Sequence, residues 1–164
     1  MKPEQLIRAL ELVPHPEGGH YRETYRSGAQ VPTPRGPRSA STAILFLLTA
    51  GEVSHWHRIH SDEAWHHHGG GRLLIHELSP AGAVRRTGLG LDLAAGEQPQ
   101  HVVQAGHWFA AEPAPATPWS LVSCTVAPGF DFDDFELASP RALEPHGAAL
   151  AAHCPHWRRL CLEA

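Results

Sequence analysis

The chain has 164 residues, 42% hydrophobic and 18% charged, with a formal net charge of −4 when the histidines are neutral. That length fits one domain, residues 1–164, with enough chain to bury a core; no run approaches the roughly 18 apolar residues of a membrane span, and no Lys/Arg cluster suits nucleic acid. The start of the chain lacks a secretory pattern, and Cys124, Cys154 and Cys161 show no Cys-x-x-Cys spacing, so the expectation is a cytoplasmic protein with buried free thiols.

In chain order, residues 3–12 carry apolar residues at helical spacing behind Pro3, which predicts a short helix. HPEGGHYRETYRS (15–27) sets Glu17 before two glycines that permit a tight turn or close backbone approach. Its continuation alternates Tyr21, Glu23 and Tyr25 against Arg22, Thr24 and Arg26, and either face suits a pocket wall or an exposed strand. An arginine on the pocket side would clamp a carboxylate or phosphate. GAQVPTPRGPR (28–38) reads as an exposed loop. Eight short apolar or alternating runs follow, from STAILFLL to WSLVSCTV, separated by Gly and Pro, and they predict an all-β sandwich or barrel. PGFDFDDFEL (128–137) lacks the spacing of a calcium loop and reads as aromatic packing with solvated carboxylates. A second short helix is expected within 147–161.

HWHRIHSDEAWHHHGGG (55–71) holds six histidines. Strand alternation puts His55, His57 and Ile59 on one face, and Glu63, Trp65 and His67 on one face of the next strand, so imidazole and carboxylate converge on one interior. His60, His66 and His68 are expected at the surface or an interface, and His76 as a packed histidine with its polar atoms satisfied. His15, His20, His101, His146, His153 and His156 share no frame, so solvent exposure or capping is their default.

Gly51, His57, Glu63 and Gly70 fall in the frame of the first motif of the cupin superfamily, which this stretch resembles, although Ile59 stands at the second histidine position. The second motif is degraded: Gly106 fits, Gln104 replaces a proline and Phe109 stands where a third histidine belongs. HPEGGHYRETYRS, SDEAWH and VAPGFDFDDFELAS together resemble a little-characterised cupin subfamily with an uncharacterised yeast member. The resemblance implies an all-β cupin jelly-roll barrel with short N- and C-terminal helices, frequently a homodimer, with a small-molecule pocket in the barrel mouth.

Cupin metals (Fe, Mn, Ni or Zn) sit on three histidines and a glutamate. Of that set the chain keeps His57 and Glu63, and a shifted set of His55, His57 and Glu63 stays open. The leading expectation is a pocket for a small polar ligand, sugar-like among the options. Its walls would include His55, Trp65, His67, Tyr21, Arg22 and His107, with Glu63 as base and His57 as its catalytic partner. Three alternatives remain: a metal-dependent cupin oxygenase, isomerase or lyase; a sugar-nucleotide epimerase like the cupin deoxysugar 3,5-epimerases, which would have to recruit Tyr21 or Tyr25 from the N-terminal arm or use another acid; and a non-catalytic binding or storage-like protein.

Overall fold

Strand formation follows period-two burial. Along Trp119–Ala127 the side chains of Ser120, Val122, Cys124 and Val126 are buried, while their neighbours are only partly covered. A computed structural model describes residues 1–162. Helix α1 (Pro3–Ala9) precedes strands β1 (Val13–Pro14), β2 (His20–Arg26), β3 (Gln30–Val31), β4 (Arg38–Ser39), β5 (Thr42–Thr49) and β6 (Ser54–Arg58). There follow β7 (Asp62–Gly70), β8 (Leu73–Leu78), β9 (Val84–Leu89), β10 (Gln100–Val103), β11 (Trp108–Pro113), β12 (Trp119–Ala127) and β13 (Glu136–Leu137). The chain then forms α2 (Pro140–Leu143), α3 (Gly147–His153) and a 3₁₀ turn at Trp157–Leu160.

The strands build two antiparallel sheets, β1-β2-β5-β12-β7-β10 and β13-β6-β11-β8-β9, with β3 and β4 as a separate hairpin. This is a cupin-like architecture with short terminal helices, but the expected barrel is not formed. Both sheets end in edge strands, and the link between β9 and the run before β10 is a single parallel bridge, Leu89 to Gln98. The physical reason is that alternation specifies one buried face per strand, which sandwich and barrel need alike; closure requires hydrogen-bond ladders to continue around the edges.

Three apolar clusters hold these layers. Between the sheets lie Phe46, Leu48, Trp65, Ile75, Phe109 and Val122. On the outer face of the second sheet, Trp56, Leu78 and Ala110 are covered by Leu143, Leu150, Trp157 and Leu160 from the C-terminal segment. Leu6 of α1 caps the outer face of the first sheet at Leu47. β5 is thus covered on both sides, which is why TAILFLLT reads as a continuous apolar run. α1 starts with Pro3 in its first turn, and the Lys2 N–H donates to Gln5 Oε1.

The run read as an exposed loop contains the β3–β4 hairpin, and its Arg35 and Arg38 are tied to Asp134. The expectation of solvated carboxylates in PGFDFDDFEL therefore fails at Asp134. Its side chain is buried and accepts from Arg35 Nε at 2.7 Å and Arg38 Nε at 2.9 Å. Those hydrogen bonds, Arg38's foremost, hold its carboxyl below the ordinary aspartate value. The aromatic half of the reading holds: Phe130, Phe132 and Phe135 pack edge to face with one another.

Candidate functional site

A cavity of about 330 Å³ opens between the sheets, lined by His15, Glu17, Tyr21, His57, Glu63 and Cys124 among others, with Phe130 to Phe132 over it. Its geometry begins with an irregularity in β6. Phe109 faces His57 and Ala111 faces Ser54, so two steps on β11 span three on β6, the signature of a bulge. The bulge breaks the expected alternation: Ser54 and His57 both reach Glu17, while His55 leaves that face and lines a separate, open groove of about 1190 Å³.

Glu17 is delivered by the HPEGG turn. Gly18, at φ +108°, has no room for a side chain, since a Cβ there would lie 2.0 Å from the Val53 carbonyl oxygen. The Glu17 carbonyl accepts from the His55 N–H at 2.7 Å, which locks the turn to β6. Ser54 Oγ donates to Glu17 Oε1 at 2.8 Å, and His57 Nε2 lies 3.1 Å from Oε2. His57 Nδ1 lies 2.7 Å from the His55 carbonyl, which can only accept, so Nδ1 carries a proton. Nε2 is then the nitrogen that faces Glu17 Oε2. Burial pushes Glu17 up and His57 down to about 4, so burial disfavours an ion pair between them.

Glu63 projects inward from β7. Burial, reinforced by the charge of Glu17 and opposed by the Cys124 thiol, pushes it up to about 8. The same burial raises Cys124 well above an ordinary thiol, which makes it a poor nucleophile. His15 accepts the Glu17 N–H at Nδ1 (3.1 Å), is lowered by burial, and packs edge to face on Tyr21 at 4.4 Å. At the mouth, Arg26 is engaged by Glu23 and Arg22 by Glu11.

Of the residues singled out in the sequence, His57, Glu63, Tyr21 and Arg22 line this cavity together. Trp65 is fully buried in the inter-sheet core, His67 Nε2 donates to the Gly71 carbonyl at 3.0 Å, and His107 Nδ1 lies 3.5 Å from Glu77. Trp65 and His67 do share a strand face with Glu63, but one face is longer than one cavity. The cupin metal positions also meet here: Ile59 lines the wall and the Phe109 ring lies 4.0 Å from that of His57. Two apolar side chains and an imidazole engaged at both nitrogens do not fit a metal. Nor do His55, His57 and Glu63 gather: among the described residues, the group with three donor atoms within 4.8 Å of one another is His76, Glu112 and Cys154. That spacing is consistent with a divalent cation.

This group lies on the outer face of the second sheet, under the C-terminal segment. Burial alone would raise Glu112, but hydrogen bonds from His76 and His156 bring it down to about 2. Cys154 is pushed up to about 11 by burial and the nearby Glu112 charge. His76 is packed as expected, yet its Nδ1 has no hydrogen-bond partner. His101 departs from its default of solvent exposure or capping, being buried with its Nε2 2.5 Å from Glu77, while His15 caps the Glu17 N–H and also joins the cavity. His66 and His68 lie on the outer face of the first sheet, beside Thr125 and Ser123. All three cysteines are buried free thiols. Glu17 was signalled only by its glycines, while Glu77, Glu112 and Cys124 carried no local pattern.

Residues 4–138 match the family model described as Cupin superfamily (DUF985). An uncharacterised Saccharomyces cerevisiae protein, YML079W, is 32% identical over 151 residues, covering 80% of this chain and 72% of the yeast chain. Protein SO0799 from Shewanella oneidensis is 43% identical at TM-score 0.79, over 97% of this chain and 94% of its own. A hypothetical protein from Leishmania major is 36% identical at TM-score 0.81, over 98% and 97%. Bacillus subtilis oxalate decarboxylase matches at TM-score 0.56 and 12% identity over 87% of this chain and 34% of that one, a likeness of fold. Among the described residues no helix is long and apolar enough to cross a membrane.

Proposed function

From the premise that this chain belongs to the DUF985 family of the cupin superfamily, we propose that its inter-sheet cavity binds a small polar molecule and moves a proton on it. The observation that carries the reading is a pair of buried carboxyls, Glu63 and Glu17, facing one small cavity beside His57. A carboxyl in a cleft pushed up to about 8, as Glu63 is, suits proton transfer, because its affinity lies near the working pH. Glu63 enters protonated at neutral pH, so its starting role is acid rather than the base expected from the sequence. The Glu17–His57 pair orients the ligand, with Ser54 holding the second Glu17 oxygen. A cavity this size suits a monosaccharide-sized hydroxycarbonyl compound, and isomerisation or epimerisation is the matching reaction class.

The test incubates the protein with aldoses, ketoses and nucleotide-linked deoxysugars in deuterated water and follows carbon-bound deuterium by NMR. Exchange at a carbon next to a carbonyl is expected in the wild type, with a loss of at least about 10²-fold in Glu63→Gln. Equal exchange in the variant would sink the assignment. A metal-dependent lyase or isomerase is the second reading. It draws support from the His76, Glu112 and Cys154 cluster, since Glu112 also lines the open groove.

A further inference from the structure

The outer face of the second sheet carries donors the cavity does not use. His76 comes from β8 and Glu112 from β11, and their side chains meet at 3.1 Å beneath the C-terminal segment. That segment brings Cys154, at the end of α3, and His156, whose Nε2 lies 2.6 Å from the same Glu112 oxygen. We propose that His76, Glu112, Cys154 and His156 form a zinc-class metal site that clasps the C-terminal segment to the sheet.

Two observations support the site. The donor types suit a borderline-soft cation: one thiol, two imidazoles and one carboxylate. The donor atoms of His76, Glu112 and Cys154 already lie within 4.8 Å of one another, while His156 meets Glu112 at 2.6 Å but stands outside that group. Metal–ligand bonds of about 2.0–2.3 Å place tetrahedral donors about 3.3–3.8 Å apart, so both imidazoles must back away from Glu112 and His156 must also swing toward His76 and Cys154. His156 can do so, because its side chain is 43% exposed on a short turn. Metal uptake forms a metal–sulfur bond and releases the Cys154 thiol proton to solvent. Arg159, 3.3 Å from the other Glu112 oxygen, closes the carboxylate on its free side.

The consequence is a cross-link between residues distant in sequence. His76 and Glu112 belong to the sheet, Cys154 and His156 to the segment that covers Trp56 and Leu78. A cation bound only in the folded state stabilises it by mass action and slows opening of the covering segment.

The test uses tag-free, chelator-treated full-length protein titrated with Co²⁺. One equivalent is expected to give a thiolate-to-cobalt band in the near ultraviolet, displaced by Zn²⁺. Cys154→Ser should abolish the band, and Cys161→Ser should retain it. His156→Ala, at a half-exposed position that spares the core, should weaken cobalt binding by at least about tenfold, given that even indirect partners of ligands cost 10–100-fold. Hydrogen exchange over 147–160 should slow on adding Zn²⁺. Glu63→Gln should bind cobalt as the wild type does, which keeps this outcome apart from the cavity chemistry. No thiolate band at one equivalent, a band that survives Cys154→Ser, or binding unchanged in His156→Ala would overturn the site; unchanged exchange on zinc would overturn the clasp. Cobalt held only by surface histidines gives no thiolate band and counts against the proposal.

Discussion

Glu63 and His57 shift in opposite directions for the same reason: burial disfavours whichever form is charged. The sign of each effect on stability follows. Glu63 has an ordinary value of 4.5 and a folded value of about 8, so the native state keeps a proton that the unfolded chain releases, and stability falls as pH rises between them. His57 has an ordinary value of 6.5 and a folded value of about 4, so its contribution is present above 6.5 and lost as pH falls toward 4. Below 6.5 the two oppose each other; from 6.5 to 8 the carboxyl acts without the histidine. Calorimetry should show stability declining over that window by up to about 1.4 kcal/mol per pH unit, and Glu63→Gln should flatten the decline. A flat wild-type profile would mean that Glu63 ionises normally. Gly18 supplies a second prediction at this scale. Gly18→Ala forces a Cβ against the Val53 carbonyl at a positive φ, which should cost about 1–3 kcal/mol in urea denaturation and withdraw Glu17 from Ser54 and His57. Wild-type stability in that variant would remove the proposed reason for the glycine.

The segment from Gly129 to Leu137 covers the cavity through two anchors. Asp134 holds it to Arg35 and Arg38, and β13 pairs with β6, where Glu136 opposes Arg58. Arg58 also lies over the Trp108 ring at 4.4 Å, which fixes its charge at that edge. Asp134→Ala leaves two arginines without their shared acceptor. It should cost about 1–3 kcal/mol and make residues 28–38 and 128–138 cleavable by protease while β5 and β12 stay protected. Protection unchanged in both segments would show that Phe130, Phe132 and Phe135 hold the cover alone. This element also shows where alternation misleads: Phe132–Asp134 is a 3₁₀ turn, with the Asp131 side chain accepting from the Asp133 N–H, so the side chains do not divide between two faces of a strand.

At the scale of the molecule, two open sheets share one core, and the second sheet has another core on its outside. Open edges should exchange first. Backbone amides of β10 and β9 are expected to exchange faster than those of β5 and β12, and equal protection would argue for closure. Leu150→Ala, which empties a fully buried position beneath α3, should cost about 2–5 kcal/mol in denaturant titration, and a smaller loss would mean that the C-terminal segment packs loosely. The sequence by itself determined most of the long strands, the terminal helices, the buried thiols and the inward face of Glu63, Trp65 and His67. These rest on local periodicity and composition, which act within a few residues. Only the tertiary structure decided that a bulge in β6 separates His55 from His57, that Glu17 completes the cavity, that the sheets stay open, and that Glu112 meets His76, Cys154 and His156. Each of those depends on register or on contacts between residues far apart in the chain, and strand pairing sets such contacts without leaving a period to read.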